Sequence, residues 1–342
     1  MRIAVVASPV APLRPAQTGG AQSLICDLAV GLIRRGHKVL LHCAEGSEVA
    51  GVELVMVPIP SDANQALVMP GGAPTIPTPG VTAAITAMFR GIEASRPDVV
   101  SQHAFDAPAF EMAARLPSLH TLHLPPIEPA VVAAARLIPP ARLATVSHSC
   151  RRDWEAAGVR IGRVIRNGVS DSSVNGNPVE DVALIAGRIS PEKGVDHALT
   201  AARLAGARCR IAGSLYDPDY VVDLAGAEIL GSIPRDELRR VMGRSAVTVC
   251  AIRWEEPFGL VAAEAQMAGC PVAAYRRGAM PEVVEEGVSG FMATPDDIHD
   301  LARAIVNCRT LDRRTVKASA QRRLGLEGML NGYEAALREV AR

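Results

Sequence analysis

The sequence predicts an α/β chain built as two doubly wound parallel-sheet domains. Three observations carry this. Short apolar runs alternate with amphipathic helical patterns along most of the chain. That alternation implies parallel strands covered by helices on both faces. It runs through both halves, with Gly, Asn and Ser concentrated between them at residues 158–177. A length of 342 residues is also enough for about two domains and a large core.

The elements follow in order. Residues 3–7 form the first apolar run, and turn-rich residues 8–20 follow. Residues 21–35 carry Leu24, Leu28, Leu32 and Ile33 on one helical face, and Gly36 ends that helix. Residues 39–43 and 53–57 read as strands, 82–95 as a helix, and 99–102, 119–123 and 143–147 as further strands. In the second half the strand candidates are 182–186, 208–212, 228–230, 247–251 and 271–275. The helices there are 195–205, 258–268 and 297–308. Residues 58–80 break the order, with Pro58, Pro60, Pro70, Pro74, Pro77 and Pro79 around Gly71-Gly72. A stretch this long without periodicity reads as a surface excursion or as a lid or acceptor-binding loop.

Composition removes several function classes. The 36 basic residues balance 36 acidic ones, which argues against a nucleic-acid partner. Two Trp, four Tyr and five Phe give few stacking platforms for bases or long glycans. The seven cysteines are scattered without a C-x-x-C pair, as expected of small buried hydrophobes in a reducing compartment. The first apolar run is too short for a secretory signal, and no window approaches the ~18 apolar residues of a membrane span. The expected location is therefore cytoplasmic. There is no G-x-G-x-x-G after the first strand, no G-x-x-x-x-G-K-[ST], no G-x-S-x-G and no H-E-x-x-H. Dinucleotide, P-loop, common hydrolase and zinc-peptidase chemistries are thereby disfavoured.

Two loops carry the chemistry that remains. After the strand at 182–186 comes Gly187-Arg188-Ile189-Ser190-Pro191-Glu192-Lys193-Gly194. Strand carboxyl ends are where open α/β sheets bind ligands, and Arg188 with Lys193 suits a diphosphate. After the strand at 247–251 comes Glu255-Glu256-Pro257-Phe258-Gly259-Leu260-Val261-Ala262-Ala263-Glu264. Pro257 suits a first helical position, and the helix start offers free N–H groups to an anion. Glu256 is expected to have a carboxylate free to reach into a cleft. Glu264, about two turns further in among apolar residues, needs partners if buried, and ribose hydroxyls would serve. Taken singly, both loops also read as solvated charge. In the first half, Thr18-Gly19-Gly20-Ala21 reads by itself as a plain tight turn or, more weakly, as an anion-ready helix start. His103 and His123 end neighbouring strands, whereas His120 reads as a strand-face or loop residue. An interdomain cleft would gather these groups.

The pattern G-R-x-S-x-E-K-G at residues 187–194, followed by E-P-F-G-L-x-x-x-E at 256–264, resembles the retaining glycosyltransferases of family 4, which have the GT-B fold. Asn167-Gly168-Val169, Leu230-Gly231, Gly269-Cys270-Pro271-Val272, Pro281-Glu282-Val283 and residues 287–291 extend the resemblance. It implies two Rossmann-like domains facing across a cleft. Residues 1–165 would form the acceptor side and 166–324 the donor side, with a helix at 325–342 crossing back to the first domain. It implies that Arg188 and Lys193 hold the diphosphate of a sugar nucleotide and that Glu264 bonds the ribose. Glu256 would meet hydroxyls of the transferred sugar, with N–H groups from Phe258, Gly259 and Leu260. Gly187 lies in the phosphate loop, Gly213, Ser214 and Ile233 would border the base, and Gly19 and Gly20 the phosphates and acceptor. His123 would reach the donor sugar. Two departures touch loop shape: Ser170 stands where an acidic residue is usual, and Gly278-Ala279-Met280 stands where Gly-Gly precedes Pro-Glu.

The resemblance implies transfer from a nucleoside-diphosphate sugar, UDP being the commonest family donor, with retention at the anomeric carbon. No metal and no further cofactor is expected, since cationic side chains and helix N-termini can stabilise the leaving diphosphate. The acceptor is expected to be a hydroxyl on a small or natural-product molecule. The whole chain resembles a glycosyltransferase of avilamycin-type antibiotic assembly. No transmembrane segment is expected, and peripheral membrane contact stays open. The alternatives are a GT-B sugar-nucleotide epimerase and a non-catalytic sugar-nucleotide-binding protein.

Overall fold

The computed structural model describes residues 1–14, 20–66, 78–171, 179–216 and 218–342. These form two compact units, residues 1–166 with 329–342, and residues 167–328.

The first unit runs β1 (Arg2–Val6), α1 (Gly20–Arg34), β2 (Lys38–Ala44), β3 (Glu53–Val57), α2 (Pro79–Ser95), β4 (Val99–Gln102), α3 (Ala107–Ala113), β5 (Ser118–Leu122), α4 (Pro129–Arg136), β6 (Leu143–Thr145), α5 (His148–Ala156) and β7 (Arg163–Val164). Its sheet is parallel, in the order β3-β2-β1-β4-β5-β6-β7. The second unit runs β8 (Glu180–Ala186), α6 (Val195–Leu204), β9 (Arg208–Ala212), β10 (Ala227–Gly231), α7 (Arg235–Arg244), β11 (Ser245–Cys250), α8 (Leu260–Met267), β12 (Val272–Tyr275), α9 (Met280–Val283), β13 (Gly290–Ala293), α10 (Ile298–Cys308) and α11 (Arg313–Leu324). The last helix, α12 (Leu326–Val340), supplies residues to both units. The second sheet is also parallel, in the order β10-β9-β8-β11-β12-β13.

The two-sheet α/β architecture is the one the sequence predicts. In each sheet the strand order reverses once, between β1 and β4 and between β8 and β11. At such a reversal the two neighbouring loops diverge and leave a crevice above the strand ends.

Burial explains why strands form where they do. Ile3, Ala4, Val5 and Val6 of β1 are all inaccessible, as a central strand covered on both faces requires. In the second unit Ala183, Ile185, Leu199, Ile211, Val247, Ala273, Tyr275 and Ile305 belong to one core. In the first, Trp154 of α5 is wholly buried beside Phe110, Val131 and Leu143, and its indole Nε1 donates to the Leu124 carbonyl at 2.9 Å. Six of the seven free cysteines are buried and Cys26 is half-buried, matching the role expected for them.

Some sequence expectations need correction. Helices α3, α4, α5, α7 and α11 were not predicted. They are seven to twelve residues long, and α7 and α11 are rich in arginine, so periodicity is weak. Pro257 does not open its helix. Gly259 at φ +93° is the N-cap, and α8 starts at Leu260. Of the two places expected for His120, a strand face or a loop, it takes the strand, lying inside β5 and stacking on Phe110 with ring centres 5.3 Å apart. Of the proline-rich stretch, residues 67–77 lie outside the described residues, and its last two residues, Pro79 and Gly80, begin α2.

Candidate active site

The β8 loop and the β11 loop flank the strand-order reversal of the second sheet. A tight approach joins them. Gly194, at φ +62°, packs so close to the end of β11 that a Cβ there would lie 2.0 Å from the Ala251 carbonyl oxygen. Only glycine fits. That approach carries Lys193 to the other loop, where its Nζ lies 2.8 Å from Glu256 Oε2. The Trp254 indole Nε1 donates to the same oxygen at 2.8 Å, and Lys193 stands over the Trp254 ring at 5.6 Å.

The sequence reading expects a free carboxylate at Glu256, and the structure corrects it. Glu256 is a held anion. Burial alone would raise its carboxyl. The Lys193 charge and hydrogen bond, the Trp254 hydrogen bond and the Arg188 charge outweigh that and bring it below the ordinary value. A third contact fixes its backbone. At Gly278, φ +57°, an added Cβ would lie 2.4 Å from the Glu256 nitrogen, and the next amide, of Ala279, donates to the Glu256 carbonyl at 2.9 Å.

Arg188 is held twice. Its guanidinium lies 3.2 Å from the buried Glu192 carboxylate and 4.4 Å from the centre of the Tyr216 ring. Such stacking and pairing orient a planar cation without consuming all five of its donors. Nearby, Gly187 at φ +122° lets its carbonyl approach Gly213 too closely for any side chain there. Ser214 follows, sharing a 2.8 Å hydroxyl contact with Ser232, and half-buried Ile233 lies in the β10–α7 connection.

Glu264 is 8% exposed and does have partners, but they are protein groups. Its Oε1 lies 2.5 Å from Arg235 Nε and 3.8 Å from Arg239. Phe258 is buried beside Gly259 and Leu260 at the start of α8. Sequence reasoning missed Arg235 and Tyr216, which no pattern marks, and noted Gly278 only for loop shape.

In the first unit, the β1 and β4 loops also meet above the strand-order reversal, where Ser8 Oγ donates to Asp106 Oδ2 at 2.8 Å. His103 and His123 come together, Nδ1 to Nε2 at 2.9 Å. Burial lowers His123 to about 4, and burial and the neighbouring His123 lower His103 well below the ordinary value. Both rings are neutral at pH 7. Burial pushes Asp106 up to about 6. Burial and the Asp106 charge push Glu128 up to about 7. Gly20 opens α1, while Gly19 lies outside the described residues.

Among the described residues no group of three or more His, Cys, Asp and Glu is arranged to hold a metal ion. No helix among them is long and apolar enough to cross a membrane.

Comparison with known proteins covers both units. Residues 18–173 match Glycosyltransferase Family 4, and residues 171–320 match Glycosyl transferases group 1. A D-inositol 3-phosphate glycosyltransferase of Mycobacterium marinum is 40% identical over 142 residues, 37% of this chain and 30% of that protein. That of Mycolicibacterium smegmatis is 37% identical over 161 residues, 43% of this chain and 36% of the relative. The chain thus spans about a third of the length of the curated relatives it matches. Among solved structures, Anabaena HepE in complex with UDP and glucose superposes with TM-score 0.75 at 20% identity, covering 99% of this chain and 100% of that one. AviGT4, a glycosyltransferase involved in avilamycin A biosynthesis, gives 0.74 at 22% identity, covering 99% of this chain and 98% of that one. These two likenesses concern the fold.

Proposed function

As the chain belongs to the GT-B glycosyltransferases of group 1 and family 4, we propose that it moves a sugar from a nucleoside-diphosphate donor to a hydroxyl of a small or natural-product acceptor, with retention and without a metal. The observation that carries this is the Lys193–Glu256 pair, with Arg188 on the same loop, above the strand-order reversal of the second sheet.

The chemistry follows from the charges. Departure of a nucleoside diphosphate builds negative charge on its oxygens. Lys193 and Arg188 lie on one loop, one presenting a point charge and the other a planar fork, and both stabilise that charge. When Lys193 turns to the phosphate, Glu256 loses one of its two donors. Sugar hydroxyls then replace it, so the pair exchanges a partner rather than leaving a charge bare. A carboxyl held below its ordinary value is a poor general acid, so Glu256 acts as an anionic hydrogen-bond acceptor. The N–H groups from Phe258 to Leu260 serve the phosphates or the sugar. Glu264, set by Arg235, accepts from the ribose, with Gly187, Gly213, Ser214 and Ile233 around the nucleotide. In the first unit we assign His123 to the donor sugar and Gly20 to the phosphates and the acceptor.

A UDP-sugar is our proposed donor, UDP being the nucleotide bound in HepE. The likeness to AviGT4 supports a natural-product acceptor, and the relatives named for D-inositol 3-phosphate make that compound the control acceptor. The test is nucleotide release from UDP-, GDP-, ADP- and TDP-sugars, with and without acceptors and with a chelator present. Acceptor-dependent release from a UDP-sugar, insensitive to chelation, is expected. Unchanged turnover in Glu256→Ala and Lys193→Ala overturns the site. A product of inverted configuration removes retention, and conversion without acceptor points to an epimerase.

A further inference from the structure

His103 and His123 hold a proton arrangement that can be worked out bond by bond. Ser101 is wholly buried at the end of β4, and a buried hydroxyl donates its proton. Its one side-chain partner among the described residues is His103 Nε2, at 2.8 Å. Ser101 is therefore the donor and His103 Nε2 the acceptor. A neutral imidazole carries one proton, so that of His103 sits on Nδ1. This Nδ1 lies 2.9 Å from His123 Nε2, which must accept. The one proton of His123 is left on its own Nδ1, for which the described residues provide no hydrogen-bond partner. Tyr333 keeps the relay in place. Its ring packs 5.6 Å from His103, and its hydroxyl donates to Thr121 Oγ1 at 3.3 Å.

We propose that Ser101 and His103 are positioning residues that lock His123 in its Nδ1–H tautomer, so that it presents a hydrogen-bond donor to a hydroxyl oxygen of the transferred sugar. The ligand's identity rests on the function proposed above, whereas the tautomer does not. The polarity has a consequence for mechanism. A histidine with its proton on the free nitrogen cannot take the acceptor's proton there, so His123 is a donor to the sugar and not a general base. The relay also makes the outward direction of the bond depend on a hydroxyl two hydrogen bonds away. The family motifs in the sequence do not include that hydroxyl.

The test is nitrogen–proton NMR of the histidine rings in the ligand-free full chain. Wild type is expected to show His123 with Nδ1 protonated and Nε2 bare. Ser101→Ala removes the donor that orders the relay and shifts part of His123 to the Nε2–H form. His103→Asn keeps a side-chain N–H near the position of Nδ1 and retains the wild-type tautomer, whereas His103→Leu does not. With UDP-glucose as the probe, Ser101→Ala and His103→Leu lower turnover about threefold to tenfold, the size of one neutral hydrogen bond, and His103→Asn recovers most of it. An Nε2–H His123 in wild type overturns the proposal, as does an unchanged tautomer in both Ser101→Ala and His103→Leu. The expected tautomers without turnover of any UDP-sugar leave the relay standing and sink the donor reading instead.

Discussion

The two strand-order reversals share a topology and differ in charge. Above β8 and β11 the polar groups are ions: Lys193 faces Glu256, Arg188 faces Glu192, and Arg235 faces Glu264. Above β1 and β4 burial works against charge. Two histidines are lowered, and the carboxyls of Asp106 and Glu128 are raised. The cause is the company each carboxylate keeps. Glu256 is buried beside a cation, and Coulomb attraction outweighs desolvation. Glu128 is buried near another acid, and the two effects add. One fold thus holds paired ions in its second unit and, in its first, a region where burial disfavours charge.

The contrast can be broken most severely at Lys193. Lys193→Ala removes a cation from the proposed leaving group and is expected to lower turnover about 10²–10³-fold in nucleotide release. A loss under about threefold would mean that the ionic site does not serve the leaving group. Next is Gly278→Ala, which drives a methyl group into the Glu256 backbone at a positive φ. Strain of about 1–3 kcal/mol is expected, with Glu256 displaced and turnover down about tenfold. Unaltered kinetics alongside an unaltered Tm would show that the loop yields freely. Arg235→Ala leaves Glu264 without its nearest partner, and the expected result is weaker donor binding with little change in kcat. An equal fall in kcat would place Glu264 at the reacting bond instead.

The smallest effect is one of pH on stability. Folded Asp106 and Glu128 titrate at about 6 and about 7, above their unfolded values. The folded chain therefore binds more protons, and this contribution is present below about pH 4 and lost as pH rises past about 7. Glu128→Gln removes the cost of ionising a buried acid, so its Tm should exceed wild type by about 2–4 °C near pH 8. The gain should vanish near pH 4. A gain of the same size at both values would mean that the carboxyl does not titrate in this window.

The loops were legible because their chemistry is local. Gly187, Arg188, Lys193 and Gly194 stand within eight residues, as do Glu256, Phe258 and Gly259, and each set follows an apolar run. The short helices were less legible, for α4 and α5 supply barely two turns from which to read a period. Nothing in the segment around Glu256 shows that a lysine 63 residues earlier faces it. The apolar surroundings of Glu264 show that it needs partners, yet nothing local points to Arg235, 29 residues earlier, on a helix the periodicity does not reveal.

By itself, the sequence determined the class of fold, the strand-end position of the polar loops and the glycines within them. Each of these follows from short-range periodicity and backbone freedom. Only the tertiary structure decided which charge neutralises which, why Gly278 supports Glu256, and in which direction the Ser101–His103–His123 bonds run. Those depend on which strands become neighbours and on the loss of water around them. Only then do hydrogen-bond partners and proton positions become fixed.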